Sequence, residues 1–259
     1  MSERFAGKVI LITGATSGVG RATAERIAGE GAKVLLAARG REAGDALSAG
    51  IRAAGGEAAF VSGDVTVEAE AAELVRQALS RYGRLDGAFN NVGAPTAVHP
   101  VTEIDGEAWR ADLELNLSSV FYGLKHQIPA LRASGGGAIL NSASTCGVAA
   151  YPNMASYNAA KHGVIGLTQS AALDTAAAGI RVNALIIGGV DTPLSRGLAR
   201  AVPGVTEEES WRLAENMHPL GRMGRPEEVA AFAAFLLSDE TEFITGAALA
   251  IDGGMTARL

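Results

Sequence analysis

Short, nearly continuous apolar runs recur along the chain: KVILIT at 8–13, KVLLAA at 33–38, AAFVSG at 58–63, LDGAFN at 85–90, GAILNS at 137–142, RVNALII at 181–187 and ALAID at 248–252. Each is shorter than an ordinary helix, and strands buried on both faces read this way. Between them, segments 18–29, 41–54, 68–82, 107–133, 155–178 and 226–237 carry apolar residues at helical spacing. Strand alternating with helix predicts right-handed crossovers and a parallel sheet. The expected fold is therefore α/β, doubly wound in three layers around a seven-stranded parallel sheet. Ligands of such sheets sit at the carboxyl ends of the strands.

Segment 193–218, PLSRGLARAVPGVTEEESWRLAENMH, breaks the rhythm, being long, mixed in polarity and punctuated by proline and glycine. It reads either as a surface excursion with a short helix or as a lid over a site. With 259 residues, 48% of them hydrophobic, and no composition boundary, residues 1–259 are expected to form a single domain.

A net charge of −6 without a basic run excludes a nucleic-acid surface and leaves a small molecule as the expected partner. One cysteine, Cys146, excludes an intramolecular disulfide, and four scattered histidines show no metal-ligand spacing, so no metal is expected. A reducing cytoplasm fits this usage. The amino terminus, MSERFAGKVI, carries charges and runs into a strand, unlike a signal or transit peptide. No apolar stretch is long enough to span a bilayer, so no membrane partner is expected.

The first run empties into Thr13, Gly14, Ala15, Thr16, Ser17, Gly18, Val19 and Gly20, and a helical pattern follows at once. Glycines there permit a tight turn and close approach of backbone N–H groups to a phosphate, and the helix amino terminus adds a favourable dipole. The spacing G-x-x-x-G-x-G is weak as a generic pattern; its position before the first helix raises it. Further on, Tyr157 and Lys161 stand four apart in SYNAAKHGV, with Ser144 thirteen residues before Tyr157. Residues at i and i+4 share a helix face, so the ammonium can favour the ionised phenol and bring tyrosine into acid–base range.

TGATSGVG, NNVG at 90–93, Asn116 in LELNL, Ser144 and YNAAK at 157–161, taken in this order, resemble the single-domain form of the short-chain dehydrogenase/reductase family. The resemblance runs from about Lys8 to the terminal IDGG at 251–254 and implies a Rossmann-like fold. It implies that Tyr157 protonates a carbonyl oxygen or takes the alcohol proton. Lys161 lowers the tyrosine pKa and holds the nicotinamide ribose, Ser144 hydrogen-bonds the carbonyl oxygen, and Asn116 anchors a water linking Lys161 to solvent. Cofactor contacts are implied for Gly14, Thr16, Ser17, Gly18, Val19, Gly20, Arg39, Asp64, Val65, Asn90, Val92, Gly93, Tyr157, Lys161, Val190 and Thr192.

Three residues depart from the family pattern: Val92 for alanine, Ala143 for the first of two serines, and Ile187 for the proline before Gly188. Losing that proline costs about 0.4–1 kcal/mol through unfolded-state entropy. Ala38 and Arg39 end the second run, where an acidic residue would select NAD. Arg39, with Arg41 assisting, can pair with a 2′-phosphate, a charge-assisted bond of about 1.5–3 kcal/mol that gives roughly ten- to hundredfold preference for NADP(H). Alternatively Arg39 stacks over adenine and NAD(H) remains usable. A hydrolase triad of Ser144 with His162 lacks a paired carboxylate, and the serine lacks a G-x-S-x-G elbow, so His162 reads as a helix residue pointing away from Tyr157 and Cys146 as a small residue near the pocket.

The expected function is NADP(H)-dependent interconversion of a ketone and a secondary alcohol, as a carbonyl reductase. The alternatives are an NAD-dependent secondary alcohol dehydrogenase and a non-catalytic dinucleotide-binding protein. Val98, Val148, Tyr151, Met154 and Leu194 are expected to line a moderately apolar substrate pocket. Helices 107–133 and 155–178 carry more apolar residues than one core-facing stripe needs, which reads either as ordinary helix surface against the sheet or as a subunit contact; the resemblance implies a homodimer or homotetramer built on them.

Overall fold

The computed structural model describes residues 3–202 and 204–258. Seven strands, β1 (Val9–Thr13), β2 (Lys33–Ala38), β3 (Glu57–Ser62), β4 (Gly87–Asn90), β5 (Gly137–Ser142), β6 (Ile180–Ile187) and β7 (Ala248–Ile251), form one sheet in the order β3-β2-β1-β4-β5-β6-β7. Every pairing is parallel. The winding reverses between β1 and β4, and that switch point opens the crevice where such sheets bind ligands.

Period-two alternation splits the strands between two cores. Ile10 and Ile12 of β1 join Ile27 of α1 (Gly18–Gly29), Leu47 and Ile51 of α2 (Arg41–Ala53) and Val229 of α9 (Pro226–Leu237). Val9 and Leu11 face the other way, onto Leu74 of α3 (Glu68–Tyr82), Leu124 of α5 (Ser119–Ala133) and Val164 of α6 (Ala155–Thr175). Sheet and flanking helices thus make the three layers expected.

The continuous helix expected over 107–133 is instead interrupted. α4 (Gly106–Leu113) leads into a π turn over Glu114–Ser118 before α5 begins. Side chains take backbone carbonyls there: Asn116 Nδ2 donates to the Asp112 carbonyl at 3.0 Å and the Ser119 hydroxyl to the Leu115 carbonyl at 2.6 Å, which suits a widened turn. The helix expected over 155–178 ends at Thr175, and a tighter 3₁₀ turn covers Ala176–Ala178. Segment 193–218 holds two helices, α7 (Pro193–Arg200) and α8 (Glu207–Asn216), each begun by a threonine capping box.

Candidate active site

Between β1 and α1 the chain doubles back so tightly that a Cβ on Gly20 would lie 2.3 Å from the Gly14 carbonyl oxygen. Only glycine permits this approach of helix to turn. Asn91 secures it, its Nδ2 donating to the carbonyls of Thr13 at 3.2 Å and Gly14 at 3.3 Å. Ser17 stands at the N-cap of α1 without a side-chain cap bond, and Ser17, Gly18 and Val19 line a cavity of about 720 Å³. A helix amino terminus whose first N–H groups are left to a cavity is a site for anionic oxygen, so these residues fit a dinucleotide pyrophosphate.

The cavity's middle is formed at the carboxyl ends of β4 and β5. Ser144 follows β5, and its hydroxyl accepts from the Cys146 amide at 3.2 Å. Tyr157 lies on the first turns of α6 and lines the cavity with Ser144. Lys161, one turn later and 1% exposed, donates from Nζ to the Ser142 carbonyl at 2.9 Å, with Nζ 5.5 Å from the Tyr157 ring centroid. Asn116 is fully buried: Oδ1 accepts from the Ala94 amide at 2.9 Å, and Nδ2 donates to the Ala94 carbonyl at 2.9 Å. Gly93 separates Lys161 from Asn116, since a Cβ there would sit 2.7 Å from Nζ and 2.9 Å from Oδ1.

The expected lowering of the Tyr157 pKa by Lys161 is not what the structure gives. Burial pushes the Tyr157 phenol above its usual range; Cys146 and Asp112 add to the rise, and the Ser144 hydroxyl opposes it. Burial likewise brings Lys161 down to about 8, against the opposing pull of Cys146 and Asp112. Removing two neighbouring groups from water together disfavours the charge on each.

Of the remaining implied cofactor residues, Gly14, Val92, Gly93, Val190 and Thr192 also line the cavity. Thr16 belongs to the turn behind it and Gly20 to the first turn of α1. Arg39 is exposed beyond β2, and Asp64 and Val65 follow β3 at the same rim. Burial raises Asp64, but hydrogen bonds from Thr66 and the charge of Arg39 outweigh it and hold the carboxyl below its usual range. Asn90 departs from expectation: its side chain is buried between Gln127 and Asn141, with Nδ2 3.0 and 2.9 Å from their side-chain oxygens, so only its backbone is left for a ligand. Its neighbour Asn91 faces the cavity instead.

The outer wall also differs from the expected set. Met154 and Leu194 line the cavity, whereas Val98, Val148 and Tyr151 do not. Pro95 and Cys146 contribute, and the two helices of 193–218 supply the apolar face: Leu198 and Val202 from α7 and the turn after it, Trp211, Leu213 and Met217 from α8 and its end. Arg196 fastens this pair of helices. Its guanidinium pairs with Asp191 at 2.9 and 2.7 Å and stacks 3.6 Å from the Trp211 ring.

The loop after β6, where Ile187 replaces proline, is held at several points. Ile187 stays in the sheet opposite Ile251. Gly188 N–H donates to the Ile251 carbonyl at 3.1 Å, and Asp191 N–H to the Gly224 carbonyl at 2.8 Å. His218, 4% exposed, accepts the Gly189 N–H on Nε2 at 2.8 Å, while its Nδ1 lies 2.8 Å from the Ala214 carbonyl, the geometry of an Nδ1–H tautomer. His162 bonds only along its own helix, through the Asn158 carbonyl.

The profile of a family described as enoyl-(acyl carrier protein) reductase matches residues 14–256. The cyclohexanol dehydrogenase of Acinetobacter sp. (strain SE19) is 41% identical over 258 residues, covering 100% of this chain and 98% of the relative. The cis-4-hydroxycyclohexanecarboxylate dehydrogenase of Sinomonas cyclohexanicum is 43% identical over 257 residues, covering 99% and 100%. A crystal structure of an actinorhodin polyketide ketoreductase variant with NADPH superposes with a TM-score of 0.92 at 35% identity, covering 98% of this chain and 99% of that one. Identity at this level over essentially whole chains, on a seven-stranded parallel sheet with these motifs at its switch point, shows that the chain belongs to the short-chain dehydrogenase/reductase family of NAD(P)-linked oxidoreductases acting on CH–OH groups.

Proposed function

We propose that the chain is an NADP(H)-dependent oxidoreductase interconverting an alicyclic secondary alcohol and its ketone. The observation that carries this reading is the meeting of Ser144 and Tyr157, with Lys161 behind them, midway along a cavity that has a glycine turn at one end and an apolar wall at the other. Two relatives named for hydroxylated cyclohexane rings support a ring substrate, and Leu198, Val202, Trp211, Leu213 and Met217 offer it an apolar surface.

In the reducing direction, Tyr157 gives its proton to the carbonyl oxygen while the Ser144 hydroxyl donates to the same oxygen, so that two donors meet the charge as it develops. The bound dinucleotide supplies or accepts hydride. The Lys161 ammonium, fixed by Ser142, stabilises the phenolate left on Tyr157 and serves the nicotinamide ribose. Asn116 braces the loop after β4, and the lone pair of Oδ1 that Ala94 leaves free anchors a water on the route from Lys161 to solvent. Arg39 takes the 2′-phosphate. The 193–218 helices act as a lid that excludes water.

NAD-dependent alcohol oxidation is the second reading, favoured by relatives named dehydrogenases and by the exposure of Arg39. Self-association through α5 and α6 is part of the proposal, since Phe121 and Leu173 expose 47% and 83% of their surface there. So is a cytoplasmic location; among the described residues no helix is long and apolar enough to cross a membrane.

The test is turnover of cyclohexanone with NADPH and of cyclohexanol with NADP⁺ or NAD⁺, with Tyr157→Phe alongside. The variant should bind NADPH with nearly unchanged affinity and lose turnover. Unimpaired turnover in Tyr157→Phe would overturn the mechanism, and tighter NADH than NADPH binding would overturn the cofactor assignment.

A further inference from the structure

Asp112, the next-to-last residue of α4, has no accessible surface, and nothing in the mechanism above uses it. Donors rather than cations surround its carboxylate. Oδ1 accepts from the Thr96 amide at 2.9 Å, from the Thr96 hydroxyl, and from Asn116 Nδ2 at 3.4 Å; Oδ2 accepts from the Ser156 hydroxyl. Among the described residues no lysine, arginine or histidine forms an ion pair with it. A carboxylate stripped of water with no directly paired cation is expensive to bury, and a neutral side chain would fill the same space with less desolvation.

The segments it holds are those that carry the site. Ser156 immediately precedes Tyr157 on α6, Asn116 forms the π turn, and Thr96 follows Pro95 of the cavity wall. One buried group therefore joins the helix bearing the acid, the turn bracing the β4 loop, and that loop itself. We propose that Asp112 is a positioning residue for the alcohol–ketone interconversion, its buried carboxylate tying Ser156, Asn116 and Thr96 into one frame around Tyr157 and Lys161. This rests on the reading of Tyr157 as the acid–base group.

The frame also carries charge. Tyr157 faces Lys161 on its own helix, Cys146 in the turn after β5, and Asp112 on α4. Asp112 raises both the phenol and the Lys161 ammonium, so neutralising it lets both lose their protons at lower pH.

Asp112→Asn, Ser156→Ala and Thr96→Val test the proposal against wild type, in NADP⁺-dependent cyclohexanol oxidation across pH and in the tyrosinate absorbance of cofactor-free protein corrected with Tyr157→Phe. Asp112→Asn should lower kcat roughly 10- to 100-fold, by analogy with the outer-sphere partners that orient metal ligands. NADPH binding by fluorescence should stay within about twofold, and the acid limb of kcat and the Tyr157 absorbance transition should both move to lower pH. Ser156→Ala should lower kcat less and leave both pH transitions in place, because the carboxylate remains. Wild-type kcat and unmoved transitions in Asp112→Asn would overturn the proposal, as would a loss of activity that only follows the folded fraction. If Asp112→Asn does not fold, wild-type kcat in both Ser156→Ala and Thr96→Val overturns it. Wild-type turnover reports on the functional reading separately, and the absorbance transition does not depend on turnover.

Discussion

Replacing Gly93 by alanine adds one methyl group at a point 2.7 Å from Lys161 Nζ and 2.9 Å from Asn116 Oδ1. The Gly93 backbone is outside the left-handed region, so the substitution meets no conformational barrier and the contact is the whole perturbation. Carbon contacts settle near about 3.5 Å, which leaves an overlap of roughly 0.8 Å on the ammonium. Lys161 has little room to yield: it is 1% exposed, and Nζ is held by the Ser142 carbonyl at 2.9 Å. Pushing it aside strains a charge-assisted bond of about 1.5–3 kcal/mol, and overpacking a rigid interior costs about 1–3 kcal/mol.

If about 1.4–3 kcal/mol of that comes out of transition-state stabilisation, kcat/KM falls roughly 10- to 150-fold. Steady-state kinetics with cyclohexanol, set beside a thermal melt, reads both consequences. Gly50→Ala in α2 is the control, because nothing lies within 4 Å of its Cβ position and alanine should raise stability by about 0.5–1 kcal/mol without touching turnover. Wild-type kcat/KM in Gly93→Ala, or a drop in melting temperature with unchanged kinetics, would refute the argument that glycine is needed there to keep the Lys161 amine in place.

Arg39→Ala should weaken NADPH binding about 10- to 100-fold and leave NADH binding nearly unchanged, by fluorescence titration; equal effects on both would remove the 2′-phosphate contact. His218→Phe leaves the half-buried Gly189 N–H without its acceptor, while the Ala214 carbonyl keeps the Met217 amide at 3.3 Å, and should cost about 1–3 kcal/mol in urea unfolding with a raised KM for cofactor; an unchanged midpoint would mean the loop finds other partners. Cofactor-free protein should gain stability as pH rises from about 8, because folded Lys161 gives up its proton there while an unfolded lysine holds it to about 10.5, a contribution of about 3 kcal/mol at most. Tyr157 reverses the trend above about pH 10, where the unfolded phenol ionises first. Lys161→Met should abolish the rising limb, and melts of the two proteins against pH check it.

All seven strands appear within two residues of the apolar runs, because a strand buried on both faces leaves its mark in every residue. The π turn left no such mark. Leu113, Leu115 and Leu117 continue an apolar pattern whatever the turn's width, and the widening goes with side-chain bonds from Asn116 and Ser119 that no periodicity reports. Segment 193–218, expected to hold one short helix, holds two, and both starts are written in the sequence: Thr206 followed three residues later by Glu209, and Thr192 with Pro193 behind it, are start signals independent of helical periodicity.

The site divides along the same physical line. Tyr157, Lys161 and the glycine turn are local in sequence, and spacing alone brings their members together. Asp112, His218 and Asn91 act only through partners that the fold delivers from elsewhere, so their chemistry is hidden in a single sequence. The pair Asn90 and Asn91 shows how little separates the two cases. Adjacent residues at a strand end point to opposite faces, and nothing local says which faces the ligand; here Asn90 joins the core amides and Asn91 the cavity. Tyr157 makes the corresponding point for charge. Helix spacing put Lys161 Nζ 5.5 Å from the Tyr157 ring centroid, but the sign of the pKa change depends on how much water the surrounding fold removes, and burial is the largest cause of the rise. In the proposed mechanism a protonated phenol suits proton donation to a ketone, and the acid limb of alcohol oxidation reports on the charges around Tyr157.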